Sequence, residues 1–433
     1  MQAQGSILVA TKPSDGLLPR YALFGAALAF AGPPIYIHTP NFYVSQHGMS
    51  LAAVGAVLLG LRVLDFVQDP LLGWWMSRTQ IARRWLVAGF AVVLGIGALA
   101  LFAPEPLFDA GWWLALSLVL VFTGFSALQI LVYSTGVRIA SDRGQDHSRI
   151  AGWREAGILL GITAASVAPT LLAAAFGERL AYPVFGVLFC LFLAAAAFGM
   201  HARWGLSAKQ MKDSGPDGSP VQAVGFSALF QDGGVRQLLV VGLFNALPTG
   251  LTATLFVFFV QDRLQASGHE GPALLLFFLA AAIAAPLWTK AAARIGAKRT
   301  LLTGMTAAIA IFLFALTLGP GDWPAFYAVC IASGAMLGAD MTLLPAMLSR
   351  RLANRGLSSD QAFGLWGFIN KASLALAAGL ALPALDYVGF KPGGENDAAA
   401  LTALAIAYAA VPSGLKALAG LILFFTKIDE GKG

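Results

Sequence analysis

Residues 62–70 read RVLDFVQDP and place three charged side chains, Arg62, Asp65 and Asp69, inside a stretch otherwise fit for lipid. On an α-helix Asp65 and Asp69 are i and i+4, and Arg62 precedes Asp65 by one turn, so all three share a face. A charge at the bilayer centre costs at least about 2.5 kcal/mol. That face must therefore look into a bundle or a wet cavity. Two acids and one base leave a surplus negative charge, which is costly to bury unless it takes up a proton or a cation. The chemistry that fits is reversible binding of H⁺ or Na⁺ at Asp65 and Asp69, with Arg62 fixing the geometry. An internal Arg62–Asp65 salt bridge beside a break at Pro70 is the purely structural alternative.

Other polar residues sit in equally apolar surroundings. The segment FAGPPIYIHTPNFYVSQHG carries Tyr36 and His38 among helix-breaking prolines, which suits a broken helix lining a substrate cavity. A polar helix end with an aromatic belt would look the same. Gln129 and Tyr133 are i and i+4, as are Trp366 and Asn370, so each pair could read a polar ligand or simply pack helices. Asn245 lies near Pro248 in a segment that mirrors the first break. Arg154 beside Glu155 serves either as a membrane-edge anchor or as a gate. Asp340 and Lys371 are candidates for an ion pair between the tenth and eleventh spans, and Lys371 is also placed to neutralise the aspartates of the second span when no cation is bound. Lys416 is assigned no role beyond reaching toward an interface.

Positioning these groups requires membrane helices. The chain has 433 residues, 58% hydrophobic and only 12% charged, with a mean hydropathy of +0.73. Soluble domains carry about 25% charged residues. Apolar segments fall near 20–44, 51–76, 84–104, 111–139, 151–176, 181–202, 236–262, 271–294, 299–319, 323–349, 362–387 and 399–426. Each is long enough to cross a hydrocarbon core of about 30 Å. The two cysteines, Cys190 and Cys330, lie in apolar runs without ligand spacing. The polar N-terminal stretch has no cleavable signal pattern.

Basic residues set the orientation. With the N-terminus inside, Arg179, Arg263 and Lys391 are the only basic residues left in outside loops, and both termini are cytoplasmic. The net charge of +6 follows this topology, so it does not argue for nucleic acid. The polar, Gly/Ser/Pro-rich stretch after Arg203 divides the chain near its middle. The expected organisation is a six-helix bundle over 1–202, a cytoplasmic linker over 203–235 and a second bundle over 236–433: an all-α major facilitator fold with pseudo-symmetric halves.

The run GLRVLDFVQDPLLGWWMSRTQIARRW resembles the glycoside–pentoside–hexuronide:cation symporters, the melibiose permease-like branch of the major facilitator superfamily. Arg62, Asp65, Asp69, Pro70 and Gly73 match that family's second span. The resemblance implies a coupling-cation role for Asp65 and Asp69. ASDRGQDHSRIAGWREAG is similar to the family's loop into the fifth span and puts its arginine at Arg154. DQAFGLWGFINKASLALAAGLALPALDYVGF is similar to its eleventh span and puts its lysine at Lys371. The sugar-binding aspartates of melibiose permease's first and fourth spans have Ala29 and Gln129 at their places here.

The expected function is secondary active transport by alternating access: cation-coupled symport of a small polar solute such as a sugar or glycoside. A proton-driven carrier of an amphipathic compound, such as a drug, lipid or peptidoglycan fragment, is the alternative; a non-transporting membrane receptor is a third. No P-loop, GxSxG elbow or CxxC pair points to ATP or enzyme chemistry. The expectation is no cofactor beyond the coupling ion, a monomer in the lipid bilayer, and a bacterial-type inner membrane.

Overall fold

The computed structural model describes residues 16–32, 39–143, 146–201 and 226–426. Its regular elements there are helices. The first span is divided into Leu17–Ala29 and Thr39–His47; the second is Leu51–Arg78, the third Arg83–Leu101, the fourth Ala110–Arg143, the fifth His147–Phe176 and the sixth Glu178–Gly199. A short helix, Phe226–Gln231, leads into the seventh span, Gly233–Phe258, which ends in a π-helical turn at Phe259–Arg263. The eighth is Glu270–Ile295, the ninth Ala297–Ala315, the tenth Trp323–Arg355 and the eleventh Ser359–Tyr387. The twelfth runs Ala398–Ala405, Ile406–Ala410 (a second π turn) and Val411–Phe425.

The helices start where side chains can satisfy the free amides of a first turn. Ser50, Asp146, Asp232, Ser358 and Asp397 each accept from a backbone N–H two or three residues on. Among the described residues, ten helices are long and apolar enough to cross a membrane. The first expected span includes residues 33–38, outside the described set, and the second, Leu51–Arg78, includes side chains outside it as well.

One core lies within the first six spans, around Tyr21, Phe24, Leu94, Leu118 and Phe189; another within the last six, around Phe259, Phe326, Leu385 and Tyr408. Further apolar clusters join the halves. Tyr133 and Val137 of the fourth span pack with Leu239, Leu343 and Phe363, and Leu159 of the fifth packs with Ala281 and Ala282 of the eighth. Leu191, Phe198, Leu380 and Phe424 stay exposed on the outer faces, as side chains bathed in lipid would. The 203–235 linker falls largely outside the described residues.

Candidate functional site between the bundles

The eleventh span crosses the second so that Lys371 meets the charged face predicted from sequence. Its Nζ donates to Asp65 Oδ1 at 2.5 Å, Asp69 Oδ1 at 2.9 Å and Ser126 Oγ at 2.8 Å. The ammonium thus sits at a point bounded by three oxygens from the second and fourth spans. Both aspartates are nearly sealed, at 2% and 1% exposure, while the lysine side chain keeps 15%. Gln68 braces the site. Its Nε2 donates to Asp65 Oδ1 at 2.9 Å and to Ser126 Oγ at 3.4 Å, and its Oε1 accepts from Thr123 at 3.1 Å. Asp69 Oδ2 is buried with no hydrogen-bond partner. The side chain of Arg62 lies outside the described residues.

Charge balance explains why a lysine belongs there, since two sealed carboxylates would otherwise stand without the cation that Lys371 supplies. Truncating one member of such a buried set strands the others at a cost of about 3–5 kcal/mol.

Close backbone contact brings Lys371 within reach. A Cβ on Gly73 would meet the Asp360 carbonyl at 2.5 Å, and one on Gly364 would meet the Asp69 carbonyl at 2.6 Å. A Cβ on Gly367 would strike Asp69 Oδ2 at 2.5 Å. Only hydrogen at these positions lets the second and eleventh spans touch.

Toward the end carrying the basic loops, polar bonds between the halves continue. Arg83 Nη2 donates to Asp360 Oδ1 at 2.6 Å and Oδ2 at 2.5 Å, while its Nη1 donates to Ser134 Oγ at 2.6 Å. Gln361 Nε2 donates to Ser77 Oγ at 2.8 Å. The Arg83–Asp360 pair is about nine-tenths buried, with exposures of 10% and 9%. The halves are therefore joined at the basic end.

The other sequence candidates separate into groups. Tyr133, Arg154 and Glu155 come together inside the first bundle: Arg154 Nε and Tyr133 OH donate to Glu155 Oε1 at 2.9 and 3.0 Å, and the guanidinium lies 3.7 Å over the tyrosine ring. Arg154 is 1% exposed and Glu155 0%, so this pair is a core feature rather than a membrane-edge anchor. Ala29 is buried and Gln129 half-buried, without carboxylate chemistry at either position. Trp366 packs against the seventh span, where a Cβ on Gly242 would meet its ring at 2.6 Å. Asn370 donates to the Trp366 carbonyl of its own helix at 2.8 Å. Tyr36 and His38 lie outside the described residues.

One expected pairing is corrected. Asp340 does not meet Lys371; its Oδ2 accepts from Lys416 Nζ at 2.5 Å. The same ammonium donates to Asn245 Oδ1 at 2.9 Å, and Lys416 is 8% exposed rather than reaching an interface. Asn245 accordingly belongs to this second cluster, apart from Lys371. The reason is helix phase: Lys371 faces the second span, which leaves Asp340 to the twelfth. Sequence reading also passed over Gln68, Ser126, Arg83 and Asp360. Gln68 stood in the quoted motif, one turn from Asp65, but an uncharged residue drew no notice; Asp360 was hidden by its loop-like neighbours.

Solved structures and curated sequences with the same organisation bear on this geometry. A bacterial homologue of the iron transporter ferroportin in an outward-facing state superposes with a TM-score of 0.67 at 14% identity, covering 94% of this chain and 98% of that one. The major facilitator transporter FucP in its outward conformation gives 0.66 at 12% identity, covering 95% and 98%. At such identities the likeness shows the fold: major facilitator. A Danio rerio protein named sodium-dependent lysophosphatidylcholine symporter 1-A is 27% identical over 204 residues, 45% of this chain and 38% of that one. A Gallus gallus protein named sodium-dependent lysophosphatidylcholine symporter 1 is 25% identical over 217 residues, 48% and 41%. The chain spans about two-fifths of the length of these curated relatives. A profile of the family described as MFS/sugar transport protein matches residues 20–430. The chain belongs to that family of multi-pass membrane transporters, and it is not an enzyme.

Proposed function

We propose that the chain is a cation-coupled symporter in which Asp65 and Asp69 bind Na⁺ or H⁺, and Lys371 fills their site when the cation is absent. The observation that carries this reading is the lysine ammonium held among Asp65 Oδ1, Asp69 Oδ1 and Ser126 Oγ. An ammonium ion there stands in for a monovalent cation: same charge, same oxygens. The orphaned Asp69 Oδ2 supplies a further acceptor. Cation binding releases Lys371, and with it a tie between the halves. The halves, residues 1–202 and 236–433, then rock about the central site.

Placing the basic loops in the cytoplasm, at a bacterial-type inner membrane with both termini inside, makes the joined end cytoplasmic. The described state is then the outward-facing one, latched by Arg83–Asp360. Cargo in this reading is an amphipathic compound rather than a sugar. Ala29 and Gln129 offer no carboxylate to grip sugar hydroxyls, and the relatives above carry lysophospholipid names. The family's description favours the second reading, a small polar glycoside.

Thermal unfolding in Na⁺, Li⁺ and choline at several pH values tests the coupling site. A ligand at 100 times its Kd stabilises by about 2.7 kcal/mol. Wild type gains this in Na⁺ or Li⁺, or shows a matching pH dependence, and Asp65→Asn and Asp69→Asn lose it. Variants that respond as wild type does would make both carboxylates structural. Uptake of lysophosphatidylcholine against a methyl glycoside by proteoliposomes under Na⁺ or pH gradients decides the cargo.

A further inference from the structure

The turn that joins the second and third spans carries an exposed group of aromatic and basic side chains. Trp74, Trp75 and Trp85, three of the chain's ten tryptophans, are exposed there, Trp85 by 63%. Arg78 and Arg84 are exposed between them. The Arg78 guanidinium lies 4.4 Å from the centre of the Trp74 ring, and that of Arg84 lies 5.5 Å from the Trp85 ring. Both are cation–π distances, and such stacking orients a planar guanidinium without using up its N–H donors. Trp75 meets Phe90 edge-on at 6.2 Å, so the group spans both helices. Beside it the face continues apolar and open: Leu71 and Val92 are exposed, and a Cβ on Gly89 would meet nothing within 4 Å. The third span packs on the fourth and sixth, which turns this face outward.

Rings and basic groups at a helix end are ordinary at a membrane interface. Two features here go further. Other arginines at this end are spent on carboxylates, Arg83 on Asp360 and Arg351 on Asp232, whereas Arg78 and Arg84 form no ion pair among the described residues. No Asp or Glu occurs between Asp69 and Glu105, and Asp69 is sealed. The corresponding turn between the eighth and ninth spans has exposed Lys290, Arg294 and Arg299 but no exposed tryptophan: Trp288 is half-buried and donates to the Ala335 carbonyl. Positive charge alone sets topology, so topology does not account for the tryptophan-backed arginines of the first bundle. Two guanidiniums beside an apolar face, with no acid on either helix end to receive an ammonium, match a phosphate that carries net negative charge and a hydrocarbon tail.

We propose that this patch binds the headgroup of an anionic glycerophospholipid from the adjoining leaflet, with Arg78 and Arg84 on the phosphate and the tryptophans against the glycerol and upper acyl chain. The site is separate from Asp65, Asp69 and Lys371 and does not depend on the coupling-site reading or on the cargo. The purified chain, stripped of lipid in detergent, is titrated with dioleoylphosphatidylglycerol, dioleoylphosphatidylcholine or inorganic phosphate, and the unfolding temperature is read. Phosphatidylglycerol raises it with a midpoint about tenfold below that of phosphatidylcholine, and inorganic phosphate leaves it unchanged. Arg78→Gln/Arg84→Gln brings the two lipid midpoints together. Lys290→Gln/Arg294→Gln removes the same charge from the other basic turn and keeps the preference. Trp74→Leu/Trp85→Leu, with every charge in place, weakens phosphatidylglycerol binding by about threefold. Equal lipid midpoints in wild type, a phosphate response matching that of the lipid, or an unchanged midpoint in the tryptophan variant would each overturn the proposal. So would a preference that survives the Arg78/Arg84 change or is lost in Lys290→Gln/Arg294→Gln.

Discussion

An ammonium held between two buried carboxylates is replaceable by a monovalent cation that satisfies the same oxygens. In the function proposed above, that exchange is where selectivity and coupling meet. The carboxylate positions must be exact, because a small displacement of either oxygen spoils a shared site. Gly367 tests this directly, since its missing Cβ is what makes room for Asp69 Oδ2. Gly367→Ala leaves every charged residue in place yet pushes that carboxylate aside. The expected result is a loss of at least tenfold in apparent Na⁺ or H⁺ affinity, read from titrations of the unfolding temperature, in a protein that still folds. An unchanged titration would mean that Asp69 Oδ2 takes no part. At this scale the sequence was legible where charge stood in an apolar run: Asp65, Asp69 and Lys371 announced themselves, and a meeting of the lysine with the aspartates could be anticipated. Lys416 was legible as a charge but not as a partner of Asp340, because sequence does not fix the relative rotation of two helices. Gln68 and Ser126 were not legible, as neutral polar residues are common in membrane helices and reveal a role only through neighbours.

At the scale of helices, two contacts near the basic end make separable predictions. Asp232 caps the seventh span through Val235 N–H at 2.8 Å and is gripped by Arg351 at 2.9 Å, with Arg355 at 3.3 Å. Burial alone would raise its pKa, but the Arg351 donors, the Val235 amide and Arg355 hold it below the usual carboxylate range. A carboxyl lowered in this way contributes stability that is complete above its unfolded pKa, about 3.9, and lost as pH falls through the folded value. Asp232→Ala therefore costs about 0.5–2 kcal/mol from the cap alone at neutral pH, and its gap from wild type closes as the medium is acidified below pH 4. Denaturation measured across that window checks the sign; a gap that widens with acid would contradict it. The Arg83–Asp360 pair joins different halves, so its disruption should affect transport as well as stability. Arg83→Ala strands a buried carboxylate and costs about 3–5 kcal/mol. The swap Arg83→Asp/Asp360→Arg should restore uptake in proteoliposomes above either single variant, whereas a swap no better than the singles would deny the pair a role as a latch. Helix existence and spacing were readable from apolar length. The second span runs as one helix, Leu51–Arg78, through the charges that drew attention to it.

Across the whole molecule, alternating access requires that the two halves hold together and release on a signal of a few kcal/mol. Linkage makes this reciprocal: a cation that loosens the tie through Lys371 must bind more weakly where the tie is strong. A shift from one population to the other needs a differential affinity of about 5.5 kcal/mol, which cation and cargo together can supply. The all-helical major facilitator class was readable from span number and basic-loop placement, because bilayer thickness and charge asymmetry act on every segment alike. Which charged groups cross between halves was less so, since those contacts depend on the packing of Gly73, Gly364 and Gly367 in three dimensions. The most direct test of the central exchange is to measure cation-dependent unfolding temperatures for Lys371→Ala beside wild type, in Na⁺, Li⁺ and choline from acid to alkaline pH. With its internal competitor gone, the variant should bind its coupling ion at least tenfold more tightly, and should be less stable than wild type when that ion is absent. A variant whose ion and pH responses match those of wild type would contradict the exchange of Lys371 for a cation.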